Sequence, residues 1–194
     1  MRKLIVHEFV TLDGIMQAPG GPDEDRDGGF AHGGWTRPFW HDDIGASFGT
    51  IMQDTDAFLL GRRTYVTHAE AFEPMPAGDP FGDMMNTPAK YVVSRTLDKP
   101  IWRNTTIIRD DAVGAVRALK AGPGKNILLD GSSQLLHVLF QHDLVDELYL
   151  HVYPLALGTG KRLFPATGLD RRFSLVKASS YPTGVVGVHY TRAA

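Results

Sequence analysis

The sequence predicts an α/β protein whose sheet is mostly parallel and ends in an antiparallel hairpin. In the first two thirds of the chain, short and continuously apolar runs alternate with segments of helical spacing. Such runs are typical of strands covered on both faces, and strand–helix alternation implies right-handed crossovers between parallel strands. In the last third, two strand-like runs flank the turn signal Pro182-Thr183-Gly184, which is the pattern of a hairpin.

The candidate parallel strands are five apolar runs, each short enough to be a strand rather than a helix. They cover residues 4–10, 57–60, 91–93, 106–108 and 127–129. A sixth strand over residues 147–153 alternates in part between apolar and polar side chains. Residues 173–179 and 185–190 form the predicted hairpin, so the sheet is expected to finish antiparallel.

Helical spacing is present between these strands. Two segments place their apolar residues on one face, with Ile44, Phe48, Ile51 and Met52 in one and Val113, Val116 and Leu119 in the other. Residues 134–140 are apolar almost all round. This predicts a helix that is either wholly buried in one subunit or covered by a second copy of the chain, and on the latter interpretation we expect a homodimer.

Composition excludes several classes of protein. A length of 194 residues suffices for one domain with a real core, predicted over residues 1–194. The net charge of −2 gives no electrostatic footprint for nucleic acid, and no run approaches the roughly 20 apolar residues of a membrane span. The chain has no cysteine, which excludes disulfides and thiolate metal sites and fits a reducing, cytoplasmic location. The expected partners are a small-molecule substrate and a second copy.

Four polar segments follow predicted strands, where ligands of open α/β sheets bind. They are Thr11-Leu12-Asp13-Gly14, Gly61-Arg62-Arg63-Thr64, Ser94-Arg95-Thr96 and Asp130-Gly131-Ser132-Ser133. Glycine lets a backbone approach a phosphate, helix N-termini offer free N–H groups, and Arg62 and Arg95 add permanent charge. Each segment alone is also consistent with an ordinary turn. Together they predict a phosphate-rich ligand.

One irregular stretch, residues 18–34, is rich in Gly, Asp and Pro. A loop of that length in a compact domain is usually functional or disordered. Because aromatic residues follow it at once, we expect it to cover the substrate site as a lid. Four aromatic side chains are candidates for the walls of an apolar pocket that stacks a flat substrate, although a plain core role is the alternative: Trp35, Phe39, Trp40 and Phe48.

Other motifs are missing or have simpler explanations. No G-x-G-x-x-G follows the first strand and no G-x-S-x-G elbow is present, so neither an ordinary Rossmann site nor an α/β-hydrolase is supported. His41-Asp42-Asp43 precedes an amphipathic helix, where acids cap the helix and favour its dipole. No metal site is predicted.

A set of six motifs, in fixed order, carries a resemblance to a known family. They are Thr-Leu-Asp-Gly at 11–14, Gly-Arg-Arg-Thr-Tyr at 61–65, Lys-Tyr-Val-Val-Ser-Arg-Thr-Leu at 90–97, Leu-Leu-Asp-Gly-Ser-Ser at 128–133, Leu-Val-Asp-Glu-Leu at 144–148 and Pro-Leu-Ala-Leu-Gly-Thr-Gly-Lys-Arg-Leu-Phe at 154–164. With them the chain resembles, almost from end to end, the dihydrofolate-reductase-like family. That family includes the reductase domain of the bifunctional riboflavin-biosynthesis deaminase–reductase.

The resemblance implies a three-layer fold with helices on both faces, NADPH as cofactor and hydride transfer to a heterocyclic substrate. By likeness, Gly61, Arg62 and Thr64 hold phosphates, while Ser94 and Arg95 lie near the adenosine 2′-phosphate. Gly131, Ser132 and Ser133 line the pyrophosphate beside Asp130, and Thr11, Leu12 and Gly14 face the nicotinamide. Asp13 is the candidate catalytic residue, as proton relay or substrate anchor; its other interpretation is a turn residue before Gly14.

The chain departs from dihydrofolate reductases at one point. Those enzymes bond the pteridine ring through a carboxylate inside the first helix, and the comparable place here, near Gly45 and Ala46, holds no acid. Folate is therefore not the expected substrate. The leading hypothesis is an NADPH-dependent reductase of a small heterocyclic or conjugated compound. The alternatives are a riboflavin-pathway pyrimidine reductase and a non-catalytic nucleotide- or ligand-binding protein on the same fold.

Overall fold

The computed structural model describes residues 1–166 and 168–193. The strands are β1 (Leu4–Thr11), β2 (Thr55–Gly61), β3 (Ala89–Val93), β4 (Thr105–Ile108), β5 (Asn126–Leu129), β6 (Glu147–Tyr153), β7 (Phe173–Ser180) and β8 (Val186–Arg192). The α-helices are α1 (Asp42–Gln53), α2 (Arg62–Phe72), α3 (Pro80–Asn86), α4 (Ala112–Ala121) and α5 (Ser133–Gln141). Short 3₁₀ turns cover Asp27–Gly29 and Arg37–Phe39.

The eight strands form one mixed sheet in the order β4-β3-β2-β5-β1-β6-β8-β7. The pairs from β4 to β6 are parallel, and β8 runs antiparallel to both β6 and β7. This confirms the predicted fold class, including the antiparallel hairpin at the C-terminal end. Because all six parallel strands point the same way, the segments that follow them meet at one edge of the sheet.

Both faces of the sheet carry helices, as predicted. On one face, alternate residues of β1, β2 and β5 pack against α4 and α5 around Leu4, Leu59 and Leu136. On the other face, the intervening residues pack against α1, α2 and α3 around Phe58 and Tyr65. Strands buried on both sides explain why their sequences are continuously apolar.

Helix α5 owes its apolar sequence to burial inside the subunit. Leu135, Leu136, Leu139 and Phe140 belong to the core on that face, whereas Val138 is 38% exposed. Of the two interpretations of this helix, the structure shows the one that needs no second copy. The helix is therefore no longer a reason to expect a homodimer, and the homodimer stays a prediction.

Helix α3 has no counterpart among the predicted elements, although the sequence carries its start signal. Asp79 caps the helix by accepting a hydrogen bond from the Gly82 N–H at 2.6 Å, and Pro80 occupies the first helical position. The part of the chain that the structure describes contains no helix long and apolar enough to cross a membrane. One domain over residues 1–194 stays a prediction, and residues 167 and 194 lie outside the described part.

Candidate functional site

A cavity of about 870 Å³ lies at the carboxyl edge of the parallel strands. In the sheet, β4 and β3 lie at one end, and β2, β5 and β1 come next in that order. The segments that follow these strands therefore line the cavity in the same spatial order. We call the part over β3 and β4 the arginine end and the part over β1 and α1 the aromatic end. The first residues of α2 and α5 line the cavity between them.

The arginine end contains the third predicted segment, Ser94-Arg95-Thr96, and one arginine that was not predicted. Ser94 and Arg95 line the cavity after β3, and Arg109 lines it after β4. Arg95 is exposed, and its Nε lies 3.8 Å from a carboxylate oxygen of Asp110, which also lines the cavity. Arg109 was missed because it follows an ordinary short strand with no glycine to mark it. This end therefore offers guanidinium groups, with one acid beside them.

The N-termini of α2 and α5 meet where β2 and β5 lie side by side. Neither helix has a side-chain cap: Gly61 precedes α2, and the Ser132 side chain makes no capping hydrogen bond to α5. Instead, the Ser132 hydroxyl lies 3.3 Å from that of Thr64 in α2. The first N–H groups of both helices are thus free for an anion, with the positive ends of two helix dipoles behind them.

Close approach of the two helix starts requires glycine at two positions. A Cβ at Gly61 would collide with the Ser132 side chain, whose own Cβ would be 2.8 Å away. A Cβ at Gly131 would be 2.7 Å from the Thr64 hydroxyl, and Gly131 also has a φ of +78°. The predicted cofactor residues Gly61, Thr64, Gly131 and Ser132 therefore interlock, with Arg62, Asp130 and Ser133 also in the cavity lining.

The segment after β1 is not brought to the cavity. The Asp13 carboxylate accepts hydrogen bonds from the N–H groups of Leu157 and Gly158, at 3.2 and 2.7 Å, and from the Thr11 hydroxyl. These bonds, with the Thr11 contact the strongest, lower the pKa of Asp13. Leu12 is 68% exposed and Gly14 has a φ of +79°, as expected of a turn. Asp13 here fastens the 157–158 loop to β1.

The four predicted aromatic residues divide into two pairs. Trp40 and Phe48 line the aromatic end, together with Phe9 of β1. Trp35 and Phe39 pack instead on Tyr153, with ring centroids 5.2 and 6.1 Å from it, and the Trp35 Nε1–H donates to the Gln17 carbonyl. The core interpretation applies to this second pair, which supports the start of the loop from behind.

Residues 18–34 do lie over the cavity, through side chains that include Glu24, Asp25 and Asp27. The loop is fastened by ion pairs. Lys161 binds Asp25 and Asp27, at 2.5 and 3.0 Å, and Arg63 at the start of α2 also binds Asp27. The sequence offered no signal for these pairs, because residues 27, 63 and 161 are far apart in the chain. The loop therefore joins the cavity wall to a helix that borders it.

Buried polar residues at the cavity floor are the main feature that sequence reasoning missed. Glu8 is 5% exposed and accepts a hydrogen bond from the Gly131 N–H at 2.7 Å. His7 is 2% exposed, and His68 of α2 donates to Asp130 at 3.1 Å. All of these residues line the cavity. Burial, with the charge of Asp130 adding to it, raises the pKa of the Glu8 carboxyl well above its usual range.

Comparison with known proteins identifies the family of this chain. Residues 2–187 match the family model of the RibD C-terminal domain. The chain belongs to that family. Among its relatives is the Bacillus subtilis protein YyaP, 28% identical in an alignment of 192 positions that covers 97% of this chain and 94% of that protein. A second, Bacillus subtilis YwjB, is 27% identical over 192 residues and 99% of each chain.

Solved structures show the same dihydrofolate-reductase-like fold. A pyrimidine reductase-like protein of Corynebacterium diphtheriae superposes with a TM-score of 0.70 at 14% identity, covering 100% of this chain and 92% of that one. Dihydrofolate reductase of Enterococcus faecalis, solved with NADP(H), superposes with a TM-score of 0.63 at 14% identity, covering 99% and 97%. Acinetobacter baumannii RibD superposes with a TM-score of 0.68 at 13% identity, and the superposition covers 100% of this chain and 58% of that one.

The raised pKa of Glu8 gives a prediction for stability. A carboxyl that holds its proton more tightly when folded favours folding fully below its unfolded pKa, near 4.5, and loses that contribution as pH rises through the folded pKa. Glu8→Gln removes the titrating group and keeps an oxygen for the Gly131 N–H. The melting temperature of Glu8→Gln relative to wild type should therefore climb as pH rises from about 4.5 to about 8.

Thermal unfolding at a series of pH values measures this difference. Glu70→Gln, at an exposed position of α2, controls for the loss of one carboxylate. A difference between Glu8→Gln and wild type that stays constant over the series, or that falls with pH, would contradict the assignment.

Proposed function

We propose that the chain is an NADPH-dependent reductase that transfers hydride to a small, flat heterocyclic or conjugated substrate. The observation that carries the proposal is the pair of helix N-termini, both without side-chain caps, that open into one cavity between a guanidinium-bearing end and an aromatic end. A dinucleotide has the matching order of groups: a nucleoside with phosphate, a pyrophosphate and a flat nicotinamide. Membership of the RibD C-terminal domain family supports a reductase role.

The residues fit such a cofactor from one end to the other. The pyrophosphate would be held by the free N–H groups after Gly61 and Ser132 and by the Thr64 hydroxyl, in the space that glycine leaves open. Arg62, Ser94 and Arg95 would take the adenosine 2′-phosphate. The nicotinamide would then occupy the aromatic end, where it supplies a hydride to the substrate. Thr11, Leu12 and Gly14, outside the cavity, are left with a supporting role in this proposal.

The substrate is proposed to be a heterocycle other than folate. Helix α1 contributes Ile44 and Phe48 to the lining, both apolar, so the carboxylate that would grip a pteridine from this helix is missing from its described cavity face. Trp40, Phe48 and Phe9 offer rings on which a flat molecule stacks. The likeness to a pyrimidine reductase-like protein favours a pyrimidine within this class. NADPH oxidation with dihydrofolate, a dihydropterin, an aminopyrimidine carrying a sugar-derived Schiff base and a conjugated enone tests the proposal.

Cofactor choice is the first testable consequence. NADPH and NADH differ only in the 2′-phosphate, so Arg62→Ala and Arg95→Ala should each weaken NADPH binding by about tenfold and leave NADH binding nearly unchanged. Exposure of these side chains keeps the loss near the lower end for a charge-assisted hydrogen bond, about 1.4 kcal/mol. Fluorescence or calorimetric titration of both cofactors measures the effect.

The matched control is Arg117→Ala, an exposed arginine on α4. It should bind both cofactors as wild type does. Equal affinity of the wild type for NADPH and NADH, or equal losses for both in the arginine variants, would reject the 2′-phosphate assignment. A wild type that binds neither cofactor would reject the reductase proposal with it.

The loop over residues 18–34 gives a second test. We expect its amides to exchange quickly in the free protein and to become protected when NADPH and substrate are both bound, because the loop lines the cavity through residues such as Asp25 and is fastened to α2 through Arg63. Hydrogen exchange with mass spectrometry measures this. Arg63→Ala should reduce the protection of the loop, and exchange that saturating ligands leave unchanged would remove the lid from the account.

Self-association remains a prediction, now with a different surface. Leu175, Val176 and Val186 are 56%, 55% and 39% exposed on the β7–β8 hairpin, and β7 is an edge strand open to pairing. We expect a homodimer at micromolar concentration and a monomer for Leu175→Glu, measured by light scattering. Val138→Glu on α5 is the comparison variant, and it should leave the dimer intact. A monomeric wild type would contradict the prediction.

A further inference from the structure

His7 in the middle of β1 is a buried side chain without a partner. Its ring is 2% exposed, and among the described residues neither Nδ1 nor Nε2 has a hydrogen-bond partner. Buried polar groups are nearly always hydrogen-bonded in folded proteins, so each exception calls for an explanation. His7 lines the cavity, and both of its ring nitrogens are covered by neighbouring side chains. The missing partner is explained if it belongs to a ligand.

The acid nearest this imidazole is held in place from its other side. Nδ1 of His7 lies 3.6 Å from Oδ1 of Asp130, while Oδ2 of Asp130 accepts a hydrogen bond from Nε2 of His68 at 3.1 Å. Burial opposes ionisation of Asp130, but the hydrogen bond from His68 and the proximity of His7 outweigh it and lower the pKa of its carboxyl. The ionised Asp130 thus faces the Nδ1 side of the His7 ring. Nε2 is then the atom left for a ligand.

The other groups that face His7 do not compete with it. His151 of β6 lies with its ring centroid 5.4 Å away, and burial, with the charge of His7 adding to it, lowers the pKa of His151 to about 3. Phe48 of α1 packs on the ring at 5.1 Å between centroids. Glu8, the next residue of β1, points to the opposite face of the sheet and is bonded to the Gly131 N–H. His7 is thus the imidazole at the aromatic end that sits beside an ionised carboxylate.

We propose that His7 protonates the substrate through Nε2 during hydride transfer, with Asp130 and His68 as positioning residues. The proposal rests on the reductase function proposed above. It names a catalytic residue that is distinct from Asp13, whose carboxylate is occupied at the 157–158 loop. Within residues 1–166 and 168–193, no group of three or more His, Asp and Glu side chains has the geometry of a metal site.

The chemical step balances with the reduced nicotinamide as the reductant. A C=N bond of the substrate gains a hydride at its carbon, and the nicotinamide is oxidised to its cationic form. The π electrons of the bond move to nitrogen, which takes the proton from Nε2 of His7. The products are an amine with new C–H and N–H bonds and a neutral His7, which regains a proton from water after the product leaves.

Steady-state kinetics with the dihydropterin and the Schiff-base aminopyrimidine test this role. General acid catalysis contributes about 10²- to 10⁴-fold, so His7→Asn should lower kcat by at least about 100-fold. KM and the affinity for NADPH should stay within about twofold of the wild-type values. A group that acts only in the transition state lowers kcat without changing the binding of substrate or cofactor. The kcat of wild type should decline with rising pH, and this decline should be absent from His7→Asn.

Three further variants complete the series. Asp130→Asn should lower kcat by about tenfold and move the decline to lower pH, because the carboxylate that favours the charged imidazole is gone. His151→Gln changes the neighbouring buried histidine and should keep the decline. Glu8→Gln tests whether Glu8, the buried acid at the cavity floor, is the proton donor instead of His7. A kcat of His7→Asn within about threefold of the wild-type value would overturn the proposal. A decline of kcat with pH that disappears in Glu8→Gln but not in His7→Asn would also overturn it.

A measurement without substrate keeps the proposal testable even if the wild type reduces neither probe. Ring-nitrogen NMR of the NADP⁺-bound protein should show His7 gaining a proton between about pH 9 and about pH 5. Its Nδ1 signal should shift in Asp130→Asn and stay unchanged in a variant of the exposed His142. A His7 ring that stays neutral over this range would overturn the inference. Failure of the wild type to bind NADP⁺ or NADPH would instead reject the proposed function.

Discussion

The close approach of α2 and α5 is the constraint on which the rest of the site depends. Both helices start at the carboxyl ends of neighbouring central strands, and the gap between them admits no Cβ at Gly61 or Gly131. Glycine there brings the free N–H groups of two helices to one place, where their dipoles add. An anion bound between them is held by backbone, which side-chain motion cannot displace. The arginine end and the aromatic end are then fixed on either side by the order of the strands.

Burial sets the chemistry of the cavity floor. Glu8 is buried and Asp130 is partly buried, yet the pKa of Glu8 is raised and that of Asp130 is lowered. The difference lies in their neighbours: a single backbone N–H faces Glu8, whereas two histidines face Asp130. An acid with a raised pKa on β1 and an acid with a lowered pKa at the end of β5 thus lie close together. Opposite pKa shifts of neighbouring acids are typical of functional sites.

The sequence predicted the fold well because strands that are buried on both faces of a sheet have continuously apolar sequences. Strands such as β2 and β5 read as continuous apolar runs, and the order of strands and helices leaves few topologies. The anion site was also predictable, since Gly61 and Gly131 follow strands and precede helices. Helix α3 had a readable Asp79-Pro80 start that the apolar pattern alone does not show.

The cavity floor was beyond prediction because it depends on contacts between distant residues. His7 and Glu8 interrupt an apolar strand, and the sequence does not say that Asp130 and His68 come to meet them, since the separation from Asp130 is more than half of the chain. Asp13 shows the converse. It stands in a motif beside a glycine, but its carboxylate is used by the N–H groups of residues 157 and 158, which only the folded chain brings near.

The central claim is that the cavity binds a nicotinamide dinucleotide in a single orientation. A crystal structure of the protein with bound NADP⁺ tests it most directly. We predict the pyrophosphate between the first turns of α2 and α5, the adenosine 2′-phosphate within reach of Arg62 or Arg95, and the nicotinamide at the aromatic end beside His7. A dinucleotide bound in the reverse orientation, or outside this cavity, would contradict the account.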